Sequence, residues 1–386
     1  MKKLLLITTL SVAMTLSVVA QEKPDDICFQ IYGGAAVNLV ESDIMESSIY
    51  PNNGLRLGVN TRPETSSPYA ALYGYPTIGI DVGWHGLEFL RYHDGSHLEN
   101  IATVSGFIER PLLRWKKGCL VYGVNLGAGF NSAVYDAERN PLNLHFSSPL
   151  LIYVGGGVVG KWFVTDHLEL GAALRLSHFS TGRLAYPNNG LNLANVEVSL
   201  RYNRVRPYVK QPADSANIAA RPLSAEIYVG GGLHRCAAEW RAFGSTSPWP
   251  NYTQGITAYW RYQPHLSSGL GVDAVYMTPN FINMVEAAER VMYGDAAVDD
   301  SDGYDRNSVG VALTQQFHYG NFALFGSFGV YAHRHLGLHE QEGRFYQKAG
   351  VKFYVPRLKG LFLSADCLAH SFSHAAMIEF NIGYKI

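Results

Sequence analysis

His178 and Ser180 stand two residues apart in LSHFSTGRLAYPNNGLN, residues 176–192. Side chains two apart on a strand point to the same side, so the imidazole can reach the hydroxyl and act as its general base. That pairing is the minimum for a serine nucleophile attacking an ester or amide carbonyl. The pair continues a row of apolar residues, Leu168, Leu170, Ala172, Leu174 and Leu176. A histidine and a serine on an apolar strand face are costly in hydrocarbon, which offers no hydrogen-bond partner. At the end of a strand the cost falls, because the headgroup region is polar. The bland alternative is an interfacial His-x-Ser without chemistry. The Pro187-Asn188-Asn189-Gly190 turn that follows returns the chain so that Asn192, on the same even face as Ala194, Val196 and Val198, arrives beside the pair.

The elements that must carry these residues are strands. Alternation over segments of about ten residues, broken by turn residues, is the dominant pattern. In DHLELGAALRLSHFS the odd positions are His167, Glu169, Gly171, Ala173, Arg175 and Ser177; AMIEFNIGYKI at the C-terminal end alternates in the same way. One face suits lipid and the other a polar interior, as in a transmembrane β-barrel; a soluble sandwich would also alternate. An N-terminal MKKLLLITTLSVAMTLSVVAQEK, with an apolar run from Leu4 to Val19, reads as a secretory signal peptide cleaved after Ala20. Export, abundant tyrosine and an amphipathic last strand favour an all-β, antiparallel outer membrane barrel, multi-pass and dependent on the barrel-assembly machinery. Ile386 stands where a terminal aromatic is usual.

Candidate strands in the first half lie near 27–40, 54–61, 77–84, 99–109, 117–130, 149–163, 166–180 and 191–203. With a periplasmic N-terminus, residues 41–53, 85–98, 131–148 and 181–190 become external connections. Residues 204–221 carry two prolines and small polar residues and read as a boundary, with 206–221 the linker or long turn proper. Beyond it the pattern restarts: FQIYGGAAVN is echoed by AEIYVGGGLH, and ELGAALRLSHFS by LFLSADCLAHSFS. The expected organisation is a leader at 1–20, a site-bearing half at 21–205 and a degenerate half at 222–386. One closed barrel of about sixteen strands would remove every edge and is preferred; two tandem eight-stranded barrels are the alternative. In the second copy, aligning Asp366 with Arg175 sets Ala369 opposite His178 and turns His370 inward, so no second site is expected.

Thirty-one basic against thirty-two acidic residues argue against a nucleic-acid partner. The four cysteines are too dispersed for a zinc site and no bridges are assigned. The acidic run at 295–305 has Val298 where a calcium loop needs Asp and reads as a solvated loop. His333, His335 and His339 fall in an external loop without fixed geometry. Neither a metal nor an organic cofactor is expected.

His178-Phe179-Ser180, Pro187-Asn188-Asn189-Gly190 and Asn192 together resemble the active-site segment of the lipid A 3-O-deacylase (PagL-type) family of outer membrane barrels. The similarity extends through YPTIGI (75–80), IERPLLR (108–114), NPLNLHFSS (140–148) and the strand at 191–203. It points to the larger, acyloxyacyl-hydrolase-like relatives of Bacteroidetes-type bacteria. The resemblance implies Ser180 as nucleophile, His178 as base and a third member at Asn192, with Thr181, Gly182, Asn188 and Gly190 forming the oxyanion site and loop. Thr181 stands for the family's Asn, where a backbone N–H can still donate. Asn192 stands for an acidic residue; an amide can orient a histidine but stabilises imidazolium less. The implied activity is a serine esterase removing the acyl chain at position 3 of lipid A in the outer leaflet, slower than with a carboxylate. The alternative is a non-enzymatic channel or structural barrel with a decayed site.

Overall fold

Residues 168–180 and 191–203 alternate outward and inward in the computed structural model as their residue types require, and so do the strands around them. The structure describes residues 26–37, 49–61, 72–87, 92, 95–203, 222–301, 303–338, 343–370 and 374–386. The expected leader and the boundary segment lie outside these residues, as does His339. No described helix is long and apolar enough to cross a membrane; crossing falls to strands.

Eight antiparallel strands form the first unit: β1 (Asp26–Val37), β2 (Ile49–Thr61), β3 (Thr77–His85), β4 (Ile101–Trp115), β5 (Gly118–Phe130), β6 (Leu150–Phe163), β7 (Leu168–Ser180) and β8 (Leu191–Asn203). Each pairs with the next, and β8 pairs back onto β1 through Asp26↔Asn203 and Gln30↔Ser199. The second unit repeats the plan with β9 (Leu223–His234), β10 (Trp249–Gln263), β11 (Leu266–Met277), β12 (Asn307–Tyr319), β13 (Phe322–His333), β14 (Phe345–Tyr354), β15 (Leu361–His370) and β16 (His374–Lys385). It closes through β16 and β9, Tyr384 lying opposite Ile227. Among the described residues, three helices lie in its connections: α1 (Ala237–Phe243), α2 (Pro279–Tyr293) and α3 (Asp295–Asp299).

The preferred single barrel is therefore corrected to two closed barrels of eight strands. The reason is in the edges. β1 and β8 complement each other in register, as do β9 and β16, so each half satisfies its own backbone groups without the other.

Outside, the first barrel shows Leu170, Leu174, Leu176, Val196 and Val198 to its surroundings. Inside it is filled. Arg56 and Arg175 converge on Glu197 at 3.1 and 3.0 Å, and Asn125 links Arg175 to Asp81 at 2.6 and 2.9 Å. Nearer the short turns, Lys161 and Arg201 bridge Glu109 at 2.5 and 3.0 Å. A lone buried charge would cost several kcal/mol; here Asp81, Glu109 and Glu197 each have a cationic or amide partner. At the end with the long connections, Leu87, Tyr92, Leu98, Ile101, Phe146, Leu151, Tyr153, Phe179, Leu191 and Leu193 form an apolar plug. Gly155 makes room for it, since a Cβ there would meet the Tyr153 hydroxyl at 2.6 Å. Eight strands enclose just enough space for such side chains, so the larger lumen expected of a sixteen-stranded barrel does not form.

The second barrel is filled in the same manner, by Lys352–Glu226 at 2.6 Å, Lys348–Glu379 at 3.1 Å and Tyr346–Asp273 at 2.7 Å. Its long connections pack α2 over a second apolar cluster that includes Phe281, Val285, Leu336 and Met377. The acidic run at 295–305 begins as a helix, not as a loop: α3 presents Asp295 and Asp299 to Arg290 at 3.1 and 2.9 Å. Among the described residues Cys119 and Cys367 are free thiols.

Candidate active site on the outer face of β7 and β8

β7 and β8 are antiparallel neighbours, and their register sets His178 directly opposite Asn192. The pairing follows from the long connection between them, residues 181–190, which lets both strands run to the same level. His178 Nδ1 lies 2.7 Å from Asn192 Oδ1. A carbonyl oxygen only accepts, so the contact places the proton on Nδ1 and leaves the Nε2 lone pair for another group. Both side chains are half-buried and belong to the outward-facing set, with Leu176 and Ala194 next along their strands.

Ser180 is the last residue of β7, opposite Ile152 on β6, and continues the outward row of His178. It is only 6 % exposed. Part of that shelter comes from Gly190, whose φ of +68° turns the returning chain over the site. A Cβ on Gly190 would stand 3.1 Å from His178 Cε1 and 3.4 Å from Ser180 Cβ. The backbone of Gly190 thus borders both proposed catalytic side chains, which is why glycine suits this position.

The loop residues are divided in their roles. Asn188 Oδ1 accepts the Thr181 backbone N–H at 2.8 Å. The Thr181 amide, expected to serve as an oxyanion donor, is therefore engaged within the loop. The Gly190 N–H is likewise directed to the His145 carbonyl at 3.4 Å. The physical reason is that a turn with left-handed residues (Gly182 at φ 62°, Arg183 at 61°, Gly190 at 68°) has no ladder to satisfy its amides and uses local acceptors. Asn188, with its carbonyl committed, keeps its Nδ2 as a donor.

One contributor was not foreseen. His145, on the β5–β6 connection, is 5 % exposed, and its Nδ1 lies 2.5 Å from the Gly190 carbonyl. Nothing in periodicity marks it, because it lies in a loop, 45 positions from its partner. Elsewhere, His333 Nε2 meets Asp305 Oδ2 at 2.6 Å, and the described residues contain no cluster of three or more His, Cys, Asp or Glu side chains suited to a metal ion.

Antiparallel barrels with apolar outer walls and filled interiors, the first carrying polar side chains at one rim of its outer wall, define a class: bacterial outer membrane proteins. The sequence model of the family described as lipid A 3-O-deacylase (PagL) matches residues 53–201, and that of the acyloxyacyl hydrolase C-terminal domain matches residues 223–386. Two PagL-family models thus account in turn for the first and the second half of the chain, and their descriptions, a deacylase and a hydrolase, indicate an ester hydrolase. Among solved structures, the outer membrane enzyme PagL overlaps 44 % of this chain and 97 % of its own, at 14 % identity and a TM-score of 0.29. A Rh. blastica porin mutant overlaps 93 % and 100 % at 8 % identity and a TM-score of 0.18, and the NanC porin 92 % and 97 % at 7 % and 0.17. At such low scores the assignment rests on the family matches. No curated protein matches the sequence.

Proposed function

We propose that the first barrel is a serine esterase that removes the ester-linked acyl chain at position 3 of lipid A in the outer leaflet. The observation that carries this reading is the 2.7 Å contact of His178 with Asn192 on the outward face of β7, one position along that face from Ser180. A nucleophile on the wall of a barrel rather than in its interior suits a substrate that is itself a membrane lipid. The family descriptions supply the substrate class.

The reaction proceeds as an acyl transfer. Ser180 Oγ attacks the ester carbonyl while His178 Nε2 takes the hydroxyl proton. Asn192 holds the imidazolium through Nδ1. Charge on the carbonyl oxygen is met by a donor from the loop, for which the Nδ2 of Asn188 is the candidate. The C–O bond to the sugar breaks as His178 returns its proton to the departing sugar oxygen. Water, deprotonated by His178, then attacks the acyl–Ser180 ester; the acyl C–Oγ bond breaks, His178 returns the proton to Ser180 Oγ, and the fatty acid leaves. An amide at 192 orients the ring without a neutralising charge, so turnover is slower than a carboxylate would allow.

Lipid A from cells producing the protein should lack one ester-linked acyl chain by mass spectrometry, and the chain should return in a Ser180→Ala strain. Identical spectra from the two strains would remove the esterase reading.

A further inference from the structure

We infer that His145 is a positioning residue for this site, acting through the carbonyl of Gly190 on His178 and Ser180. The inference rests on the esterase reading. Three hydrogen bonds join the 144–145 segment to the returning turn. Asn189 N–H donates to the Leu144 carbonyl at 3.0 Å and Gly190 N–H to the His145 carbonyl at 3.4 Å. The third is the His145 side chain on the Gly190 carbonyl at 2.5 Å. The two backbone bonds come from the run of the chain and would survive any substitution at 145. The third belongs to the imidazole.

The segment that carries His145 is itself braced. Asn143 Nδ2 donates to the Ala133 carbonyl at 3.0 Å, and Phe146 is fully buried in the plug with Phe179 and Leu191. Phe179 lies between His178 and Ser180 in sequence, and Leu191 between Gly190 and Asn192. One rigid cluster therefore fixes the inward side of the site, and His145 ties the outward-lying turn to it. Gly190 stands 3.1 Å, from its Cβ position, to His178 Cε1, the carbon between the ring's two nitrogens. If Gly190 retreats, the imidazole loses the wall that keeps Nε2 directed along β7. A displacement of about 1 Å in a reacting group can cost on the order of a hundredfold in rate.

The protonation state agrees with this role. Burial pushes the His145 imidazole below its usual range, and the Gly190 carbonyl opposes that shift. The ring is neutral at neutral pH, with its one proton on Nδ1, where the carbonyl requires it.

The test uses the full-length protein in detergent micelles with purified lipopolysaccharide, following kcat and KM. A fluorophosphonate probe reports the reactivity of Ser180, and the heat-dependent shift of folded barrels on gels reports folding. His145→Asn places an amide donor where Nδ1 was, whereas His145→Gln places it where Nε2 was. We expect kcat for His145→Gln and His145→Ala to fall about thirtyfold or more with KM within about threefold, and labelling of Ser180 to slow in proportion. His145→Asn should stay within about fivefold of the parent. An Asn variant no faster than Gln, or a folded Ala variant at the parent's kcat, overturns the inference. Ser180→Ala separates the two claims. If it still turns over, the esterase assignment fails; if it is inactive while His145→Ala is fully active, the positioning role alone fails.

Discussion

β7 of the first barrel and β15 of the second descend from the same pattern, yet they present different chemistry to the membrane. On β7, His178 points outward and meets Asn192 across the ladder. On β15 the outward positions hold Cys367 and Ala369, while His370 points inward and its Nε2 lies 3.0 Å from the Tyr331 hydroxyl. The neighbouring strands differ as well. β8 supplies an amide opposite the histidine, whereas β16 places Ala375 opposite Ala369, next to a register shift. The connections differ in length: residues 181–190 separate β7 from β8, and only 371–373 separate β15 from β16. A histidine moved by one position changes face, and without a returning loop no third group can be delivered to it.

The second barrel also shows that a serine–histidine contact is insufficient. Ser267 Oγ lies 2.8 Å from His318 Nε2, with both residues buried inside the barrel. Facing a filled interior, this pair has no approach for a lipid ester. It serves as one more satisfied pair of buried polar groups.

The contrast can be broken most severely at the nucleophile. Ser180→Ala should lower lipid A deacylation by about a thousandfold or more, whereas Ser267→Ala should leave it within about twofold. Mass spectrometry of lipid A from the two strains reads both outcomes, and equal losses would dissolve the distinction between the barrels. Next in size is the wall of the site. Gly190→Ala puts a methyl 3.1 Å from His178 Cε1 in a left-handed backbone, so kcat should fall about thirty- to a hundredfold. The strained backbone should cost about 1 kcal/mol in denaturant titrations. Asn192→Ala removes the orienting carbonyl and should cost about thirtyfold in kcat with little change in KM, since binding of the lipid does not use it. Smallest and opposite in sign is Asn192→Glu. A carboxylate adds charge stabilisation for imidazolium and should raise kcat about threefold to tenfold. A fall instead would mean that the 2.7 Å amide geometry matters more than the charge.

Much of this was legible along the chain. The face of His178, the outward set of Asn192, Ala194, Val196 and Val198, and the inward set of Glu169, Arg175 and Glu197 all follow from a period of two. The bounds of β8 at 191–203 and the end of β7 at Ser180 coincide with the turn residues that flank them in sequence, and the inward turn of His370 follows from aligning Asp366 with Arg175. The closure of each half was not legible. The same alternation serves one large barrel or two small ones, because period two describes the faces of a strand and not its neighbours. His145 was hidden for a related reason: loop residues carry no periodicity, and although the NPLNLHFSS stretch that holds it and the turn ending at Gly190 both stand out, a bond from a ring to a backbone carbonyl does not show that the two meet.

The sequence by itself determined which side chains share a face, since the pleat fixes side-chain direction locally and needs no partner strand. Only the tertiary structure decided which strands close on which, and that the Thr181 amide is engaged within its own loop. It also decided that a distant histidine holds the turn over the site. These are choices among hydrogen-bond acceptors, and a backbone donor takes whichever acceptor folding brings within about 3 Å, wherever that acceptor lies in the chain.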